Sequence, residues 1–249
     1  MNQKPVLLIR GGSEPRDEIA FEQLGIAYVS EPFTRISPGS LNEAKRLIES
    51  LEIPDSWLIA TSRNAMEFWN LLLRPNTLRE AISANPTLTF AAIGEGSSAS
   101  LRALGAEYVH VGIEADSQGL LSLLSVEKPA TAIIPGGNLA HTALPEGLKK
   151  LGWDVVTGIV YLNEPVSKTP KVVADIPAGK FSFIVVRSPS AVRALNQFFP
   201  HCDVPLICGG RLTRSQAEEL KMPIATYCED PSPEGIAALV KNYQESEAR

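Results

Sequence analysis

The chain has 249 residues, 44% of them hydrophobic, with 28 acidic against 23 basic side chains and a formal net charge of −5. That length suits one large α/β domain or two small ones, and the apolar content supports a packed core and excludes wholesale disorder. An acidic balance with no Lys/Arg cluster excludes the basic face of a nucleic-acid-binding protein.

Short apolar runs alternate with amphipathic stretches along the whole chain. Val6 to Ile9 reads as a strand closing on Gly11-Gly12, Ile19 to Leu24 as a helix end stopped by Gly25, and Ala27 to Val29 as a strand. Trp57 to Ala60 (strand), Ala65 to Leu73 (helix), Phe90 to Ile93 (strand) and Ser98 to Leu104 (helix) follow. Next come Tyr108 to Val111 (strand), Leu120 to Leu124 (helix), Ala132 to Ile134 (strand), Leu144 to Leu151 (helix) and Val155 to Tyr161 (strand). Phe181 to Val186, Val204 to Ile207 and Ile224 to Tyr227 are the last three strands, separated by helices. Runs such as Phe183-Ile184-Val185-Val186 are apolar on both faces, as parallel strands covered by helices are. The alternation predicts an α/β fold with a doubly wound parallel sheet.

Three cysteines (Cys202, Cys208, Cys228) and three histidines (His110, His141, His201) are scattered without CxxC or other metal-ligand spacing. They are expected to be buried thiols of a reducing cytosol and ordinary histidines. The first five residues lead into a strand and not into a signal-peptide core. No apolar run reaches the ~18 residues that span a bilayer. A soluble cytoplasmic protein with no membrane or nucleic-acid partner is expected.

The chain repeats itself. Leu58-Ile59-Ala60-Thr61-Ser62-Arg63-Asn64-Ala65 matches Ile184-Val185-Val186-Arg187-Ser188-Pro189-Ser190-Ala191. Further on, Gly94 pairs with Gly209, and Gly119-Leu120 with Gly235-Ile236. A different segment, Leu7-Leu8-Ile9-Arg10-Gly11-Gly12, matches Ala132-Ile133-Ile134-Pro135-Gly136-Gly137, and its two copies end at Pro38 and Pro165. The order is therefore A, B, A′, B′. It allows two tandem domains, or a nested pair in which B joins A′ and A joins B′. The extended stretches Tyr28 to Pro38 and Val155 to Pro165 suit two crossings between domains, which favours nesting and a two-stranded hinge beside a cleft.

Ligands of open α/β sheets bind beyond the carboxyl ends of the strands. Here those ends read Arg10-Gly11-Gly12, Thr61-Ser62-Arg63-Asn64, Gly94 to Ser98, Pro135-Gly136-Gly137-Asn138, Arg187-Ser188-Pro189-Ser190 and Gly209-Gly210-Arg211. Small residues let an anion approach the N–H groups at helix N-termini, and an Arg fork can hold a carboxylate. Each Ser is equally an ordinary helix cap; their number shifts the balance toward an anion-binding cleft. Gly94-Glu95-Gly96-Ser97-Ser98-Ala99, with Asp116 about 20 residues on, outlines a dinucleotide fingerprint. Glu95 would repel a pyrophosphate there, and Asp116 lies beyond the second strand and not at its end. No P-loop, G-x-S-x-G or HExxH occurs, so the chemistry needs neither metal nor strong nucleophile and no cofactor is expected.

These motifs resemble the uroporphyrinogen-III synthase family. Leu7-Leu8-Ile9-Arg10 resembles its opening strand-Arg motif, and Ile59 to Ala65 its F-T-S-x-N-A-V motif. Ala92-Ile93-Gly94 with Ser98-Ala99 is similar to I-G-x-x-T-A, and Val160-Tyr161 through Pro165 to V-Y-x-x-x-P. Val186 to Val192 is similar to T-S-P-S-A-V and Pro233-Glu234-Gly235-Ile236 to the closing E-G-L element. The resemblance implies two flavodoxin-like lobes joined by a two-stranded linker, the second inserted in the first. Lobe 1 would take 1–36 and 168–249, and lobe 2 would take 39–164, with crossings near 28–38 and 155–167. It further implies a cofactor-free lyase that cyclises hydroxymethylbilane, a linear tetrapyrrole, to uroporphyrinogen III with inversion of the last ring and loss of water. Tyr161 matches the Tyr proposed in the family to help the hydroxyl leave. Arg10, Gly11, Ser62, Arg63, Asn64, Gly94, Ser98, Gly136, Gly137, Ser188, Ser190 and Gly209 are the candidate substrate-binding residues. A monomer is implied, with the enzyme that makes hydroxymethylbilane as a candidate partner. The chain departs from the pattern at Gly209-Gly210-Arg211-Leu212, where G-P-T-T is usual, at His141, where an Arg is common, and at Leu162, where an Arg often follows the Tyr. The alternative is a non-catalytic two-lobe binding protein for a small anionic ligand.

Overall fold

A computed structural model describes residues 4–10, 16–114, 116–229 and 232–247, with the side chains of Arg10 and Glu247 outside the description. In chain order the elements begin β1 (Val6–Arg10), α1 (Arg16–Gln23), β2 (Tyr28–Pro32), β3 (Thr34–Pro38), α2 (Leu41–Ser50), β4 (Trp57–Ala60) and α3 (Arg63–Leu72). They continue with α4 (Thr77–Ala84), β5 (Thr89–Ala92), α5 (Glu95–Ala103), β6 (His110–Val111), α6 (Ser117–Leu124), β7 (Thr131–Gly137) and α7 (Ala143–Lys150). β8 (Asp154–Pro165), β9 (Ile184–Val186), α8 (Pro189–Phe198), β10 (Leu206–Cys208), α9 (Arg211–Glu219), β11 (Ile224–Tyr227) and α10 (Pro233–Glu247) complete the chain.

The chain divides into two compact units, 1–36 with 164–249, and 37–163. The sheet of unit 1 has the strand order β11-β10-β9-β1-β2, with its strands parallel. Renumbered within the unit this is 2-1-3-4-5, the flavodoxin order. The second sheet has the order β3-β8-β7-β4-β5-β6. Its five parallel strands give the same order if counting starts at β7, so the two sheets are circular permutations of one plan. Pairing of β1 with β9 and of β7 with β4 joins A to B′ and A′ to B, which is the nested arrangement.

The apolar runs explain the central strands. In β1, Leu7 and Ile9 enter one core cluster while Val6 and Leu8 enter another on the opposite face. In β4, Leu58 and Ala60 face one cluster while Trp57 and Ile59 face another. Both faces are buried, so no polar alternation survives in these strands. Burying each large side chain of this kind contributes about 1.5–3 kcal/mol.

The stretch from Tyr28 to Pro38 is extended and consists of two strands, one in each sheet. It divides at Phe33, whose ring is fully buried in unit 1 and meets Phe198 edge-on at 5.9 Å. Tyr28–Pro32 belongs to the first sheet and Thr34–Pro38 to the second, where it is the edge strand beside β8. Gly39 N donates to Val160 O and Val166 N to Phe33 O, the crossed pattern of an antiparallel pair. Other boundaries tighten. The expected strand Tyr108 to Val111 is only His110–Val111, with Tyr108 largely exposed, and Phe181 to Val186 contracts to Ile184–Val186. Helices α2 and α4 fill segments that the apolar runs alone do not mark. No helix among the described residues is long and apolar enough to cross a membrane.

Candidate functional site

The strand order reverses between β1 and β9 in unit 1 and between β7 and β4 in unit 2, and a ligand's natural place is beyond the carboxyl ends of strands at such a point. Arg10 closes β1 and Ser188 follows β9, while Gly137 closes β7 and Ser62 follows β4. Gly94 and Gly209 follow β5 and β10, one strand further out in each sheet. Gly11 lies outside the described residues, as does the side chain of Arg10.

In unit 1, Ser188 sits with extended backbone at the N-cap of α8, and its Oγ accepts from Ala191 N at 3.3 Å. The same Oγ lies 2.9 Å from Ser190 Oγ. Arg187, half-buried, forms an ion pair with Asp17 in the first turn of α1. A Cβ placed on Gly209 would lie 3.2 Å from both Arg187 Cα and Ile236 Cδ1, so this glycine permits close packing of two strand ends under α10. Arg211, at the departure from the family pattern, is exposed in the first turn of α9.

In unit 2, Ser62 occupies the N-cap of α3 with the same extended backbone, yet its side chain makes no capping bond. Its copy in unit 1 is therefore engaged with the helix while Ser62 Oγ is not. Arg63 is exposed beside it, with its guanidinium Nη2 3.9 Å from where a Cβ on Gly96 would stand, over the first turn of α5. Asn64 is half-buried in the first turn of α3. Gly94 caps α5, its carbonyl accepting from Ser97 N at 3.1 Å and Ser98 N at 3.0 Å. Ser98, in the first turn of α5, is 0% exposed, and its Oγ has no hydrogen-bond partner among the described residues. The outline of a dinucleotide fingerprint resolves into local structure. Asp116 Oδ1 caps α6 by accepting from Gly119 N at 2.8 Å, and Glu95 pairs with Arg102 at 2.7 Å.

Tyr161 lies at a break in the β7–β8 ladder. Gly136 is opposite Ile159 but Gly137 is opposite Tyr161, so Val160 is an extra residue. A regular strand would send Val160 and Tyr161 to opposite faces. Here Val160 is buried in one core cluster and Tyr161 packs against that same cluster, the re-aiming that a bulge produces. The phenol ring stacks on Phe68 of α3 at 6.1 Å between centroids and 27° between planes. The ring also lies close to Gly137, where a Cβ would come within 2.6 Å of Tyr161 Cε2. The ring is half-buried, and its hydroxyl makes no hydrogen bond to the described residues. This end of unit 2 can thus offer a phenol donor and a Ser hydroxyl beside backbone N–H groups at the starts of α3 and α5.

Two residues beside Tyr161 are missing from the candidate binding residues: Phe68, which stacks on its ring, and Asn138, which the sequence offers only as the last of a strand-end run and whose N–H donates to Tyr161 O. Their significance depends on the bulge, for which only the pair Gly136-Gly137 is a signal. Burial pushes the Cys202 and Cys208 thiols from 9.0 up to about 11, Asp203 adding to the first and Glu218 to the second. Among the described residues no group of three His, Cys, Asp or Glu could hold a metal ion.

A family model described as uroporphyrinogen-III synthase HemD matches residues 17–238. A mutant uroporphyrinogen III synthase of Thermus thermophilus shares 15% identity at a TM-score of 0.70, covering 97% of this chain and 99% of its own. The uroporphyrinogen-III synthetase of Helicobacter pylori shares 15% at a TM-score of 0.65, covering 96% of this chain and 99% of its own. At that identity the two structures speak to the fold. No curated protein matches the chain.

Proposed function

The chain belongs to the uroporphyrinogen-III synthase family, and from that membership we propose that it is the lyase that closes hydroxymethylbilane to uroporphyrinogen III with loss of water. It is an enzyme of tetrapyrrole synthesis. The observation that carries the reading is the family match from residue 17 to residue 238, spanning both units.

The reaction asks little covalent chemistry of the protein. Loss of the terminal hydroxyl leaves an azafulvene. The substituted carbon of the last ring attacks it, and the resulting spiro intermediate reopens and closes again with that ring inverted. The water released combines the hydroxyl with a pyrrole N–H hydrogen, so a donor that helps the hydroxyl leave ends as it began. Catalysis then consists of folding the chain into position and donating one hydrogen bond to the departing oxygen. Tyr161 fits the donor's part, since it lies opposite the carboxyl end of β7 and its phenol has no intramolecular acceptor among the described residues. The Ser62-Arg63-Asn64 turn, Gly94, Gly136 and Gly137 in unit 2, and Arg10, Ser188, Ser190 and Gly209 in unit 1, are suited to the substrate's carboxylates. For Gly209 the packing described above is a further reason for the residue type, and the buried Ser98 Oγ, unpartnered among the described residues, is a further candidate in unit 2. No metal or nucleotide is called for by this scheme. Action as a monomer in the cytoplasm completes the reading, to which three buried cysteines outside any disulfide lend support.

The test is incubation with enzymatically generated hydroxymethylbilane in a metal-chelated buffer, with the oxidised products scored by isomer. Uroporphyrinogen III as the dominant product is expected. The spontaneous isomer in the proportion seen without protein would leave a binding protein for an anionic ligand as the better reading.

A further inference from the structure

We infer that Asn138 and Phe68 are positioning residues for Tyr161, holding its backbone and its ring in the orientation the reaction uses; this rests on the part proposed for Tyr161 above. β7 ends at Gly137 whereas β8 runs on to Pro165, so the far end of β8 loses its ladder partner one residue past Tyr161. Asn138 replaces it. Its backbone N–H donates to Tyr161 O at 3.2 Å. Its Oδ1 accepts from Asn163 N at 2.8 Å, and its Nδ2 reaches Asn163 O at 3.4 Å. One residue thus brackets β8 on both sides of Leu162, with its side-chain amide standing in for a further peptide of the missing strand.

The bracket matters because of the bulge beside it. A bulge aims a side chain but leaves its residue outside the regular ladder, so the aim holds only if neighbouring bonds fix the backbone. On the other edge of β8, Gly39 N and Ser40 N donate to Val160 O at 2.9 Å and to Ile159 O at 3.0 Å. The backbone is therefore fixed before, within and after the bulge. The ring is then held by its close approach to the bare backbone of Gly137 and by stacking on Phe68. None of these groups bonds to the phenol oxygen, which leaves it available to a ligand.

The test is a double-mutant cycle on steady-state turnover of hydroxymethylbilane. Asn138→Ala and Phe68→Leu are each expected to lower kcat about tenfold at little-changed KM, because they disturb a group used in the transition state. Asn138→Asp keeps the Oδ1 acceptor for Asn163 N and should hold kcat within about threefold of the parent. In a Tyr161→Phe background either change should alter kcat by less than about twofold, since the group it positions is already gone. A second readout is independent of activity: with fluorotyrosine incorporated, the Tyr161 resonance should broaden or move in Asn138→Ala while the other tyrosine signals stay in place. If Tyr161→Phe itself turns over at the parent rate, the part assigned to Tyr161 fails and the positioning role falls with it. If Tyr161→Phe is slow but Asn138→Ala and Phe68→Leu are not, or if their effects add in full to that of Tyr161→Phe, the positioning role alone is overturned.

Discussion

At the scale of single residues, Tyr161 is the side chain whose chemistry and whose packing make different predictions. Its ring contributes contacts to the core of unit 2, but its hydroxyl contributes none, so Tyr161→Phe removes only the group open to a ligand. The expected result is an unchanged melting temperature and a rate lower by about 10²–10⁴-fold, the range of a positioned acid. A rate at the parent level would make Tyr161 structural and send the search for the acid to the Ser and Thr of the loops. Gly137→Ala probes the same ring from below. The new methyl would stand within 2.6 Å of Cε2, so the ring must move. A loss of about 1–3 kcal/mol in stability is expected from the overpacking. Turnover should fall up to about 100-fold, the effect of a displacement near 1 Å; an enzyme with full turnover would show that the ring's position is not critical. The sequence identifies Tyr161 and Gly137 separately, one from a family motif and one from a repeat. That the glycine exists to clear the tyrosine follows only from the register slip at Val160, and register is a property of two strands together. Ser98 is legible only in part: its motif reads as a binding hydroxyl, and that it is fully buried with an unpartnered Oγ emerges only in the fold.

Among the elements, the paired helix starts α3 and α8 separate capping from ligand binding. Ser188 and Ser62 occupy matching places in the repeat and matching N-cap backbones, but only Ser188 Oγ accepts a helix N–H. Ser188→Ala should therefore lower stability by about 1 kcal/mol, as cap removal does. Ser62→Ala should leave the melting temperature within error and show itself as a higher KM for hydroxymethylbilane. Equal stability losses in the two variants would return Ser62 to the role of a cap. Sequence periodicity marks both helices well, because each carries apolar residues on one face below an obvious Ser-initiated turn. It marks α2 less well, although Ser40 and Glu43 stand at the spacing of a capping box and Ser40 Oγ does accept from Glu43 N at 3.2 Å. The extended run expected from Tyr28 to Pro38 is present as two strands, β2 and β3, that meet at Phe33 and lie in different sheets. Phe33, at the point of division, is fully buried in unit 1 and meets Phe198 edge-on, while the strands on either side of it lie in different sheets. Nothing local in the sequence distinguishes that anchor from an exposed phenylalanine.

For the molecule as a whole, the internal repeat is the most informative sequence feature, since by itself it restricts strand pairing to two schemes. Choosing between them requires the long-range pairing of β1 with β9 and of β7 with β4. The same partition yields a prediction about stability. Every buried hydrophobic cluster belongs to one unit, so each unit has a core of its own. Cys202, Cys208 and Cys228 all fall in unit 1, and Trp57, Trp69 and Trp153 all fall in unit 2. Thiol reactivity therefore reports the opening of unit 1, and tryptophan fluorescence that of unit 2. Cys202 and Cys208 have folded-state values near 11 against an ordinary 9.0, raised chiefly by burial. A raised value means that the folded state holds the proton more tightly. Its contribution is whole below pH 9 and is lost as pH climbs from 9 toward 11, because unfolding then lets the thiol ionise. At pH 10 each thiol should withdraw on the order of 1 kcal/mol. Unit 1 should consequently melt several degrees lower at pH 10 than at pH 8, about 3–10 °C for a domain of this size. The onset of thiol labelling during a thermal ramp should shift by that amount while the tryptophan transition shifts less. Replacing Cys202 and Cys208 together by Ala should lower the stability of unit 1 at both pH values and shrink its alkaline shift. A thiol transition that stays coincident with the tryptophan transition at both pH values would show instead that the two units unfold as one, and that burial of these thiols does not set the alkaline limit.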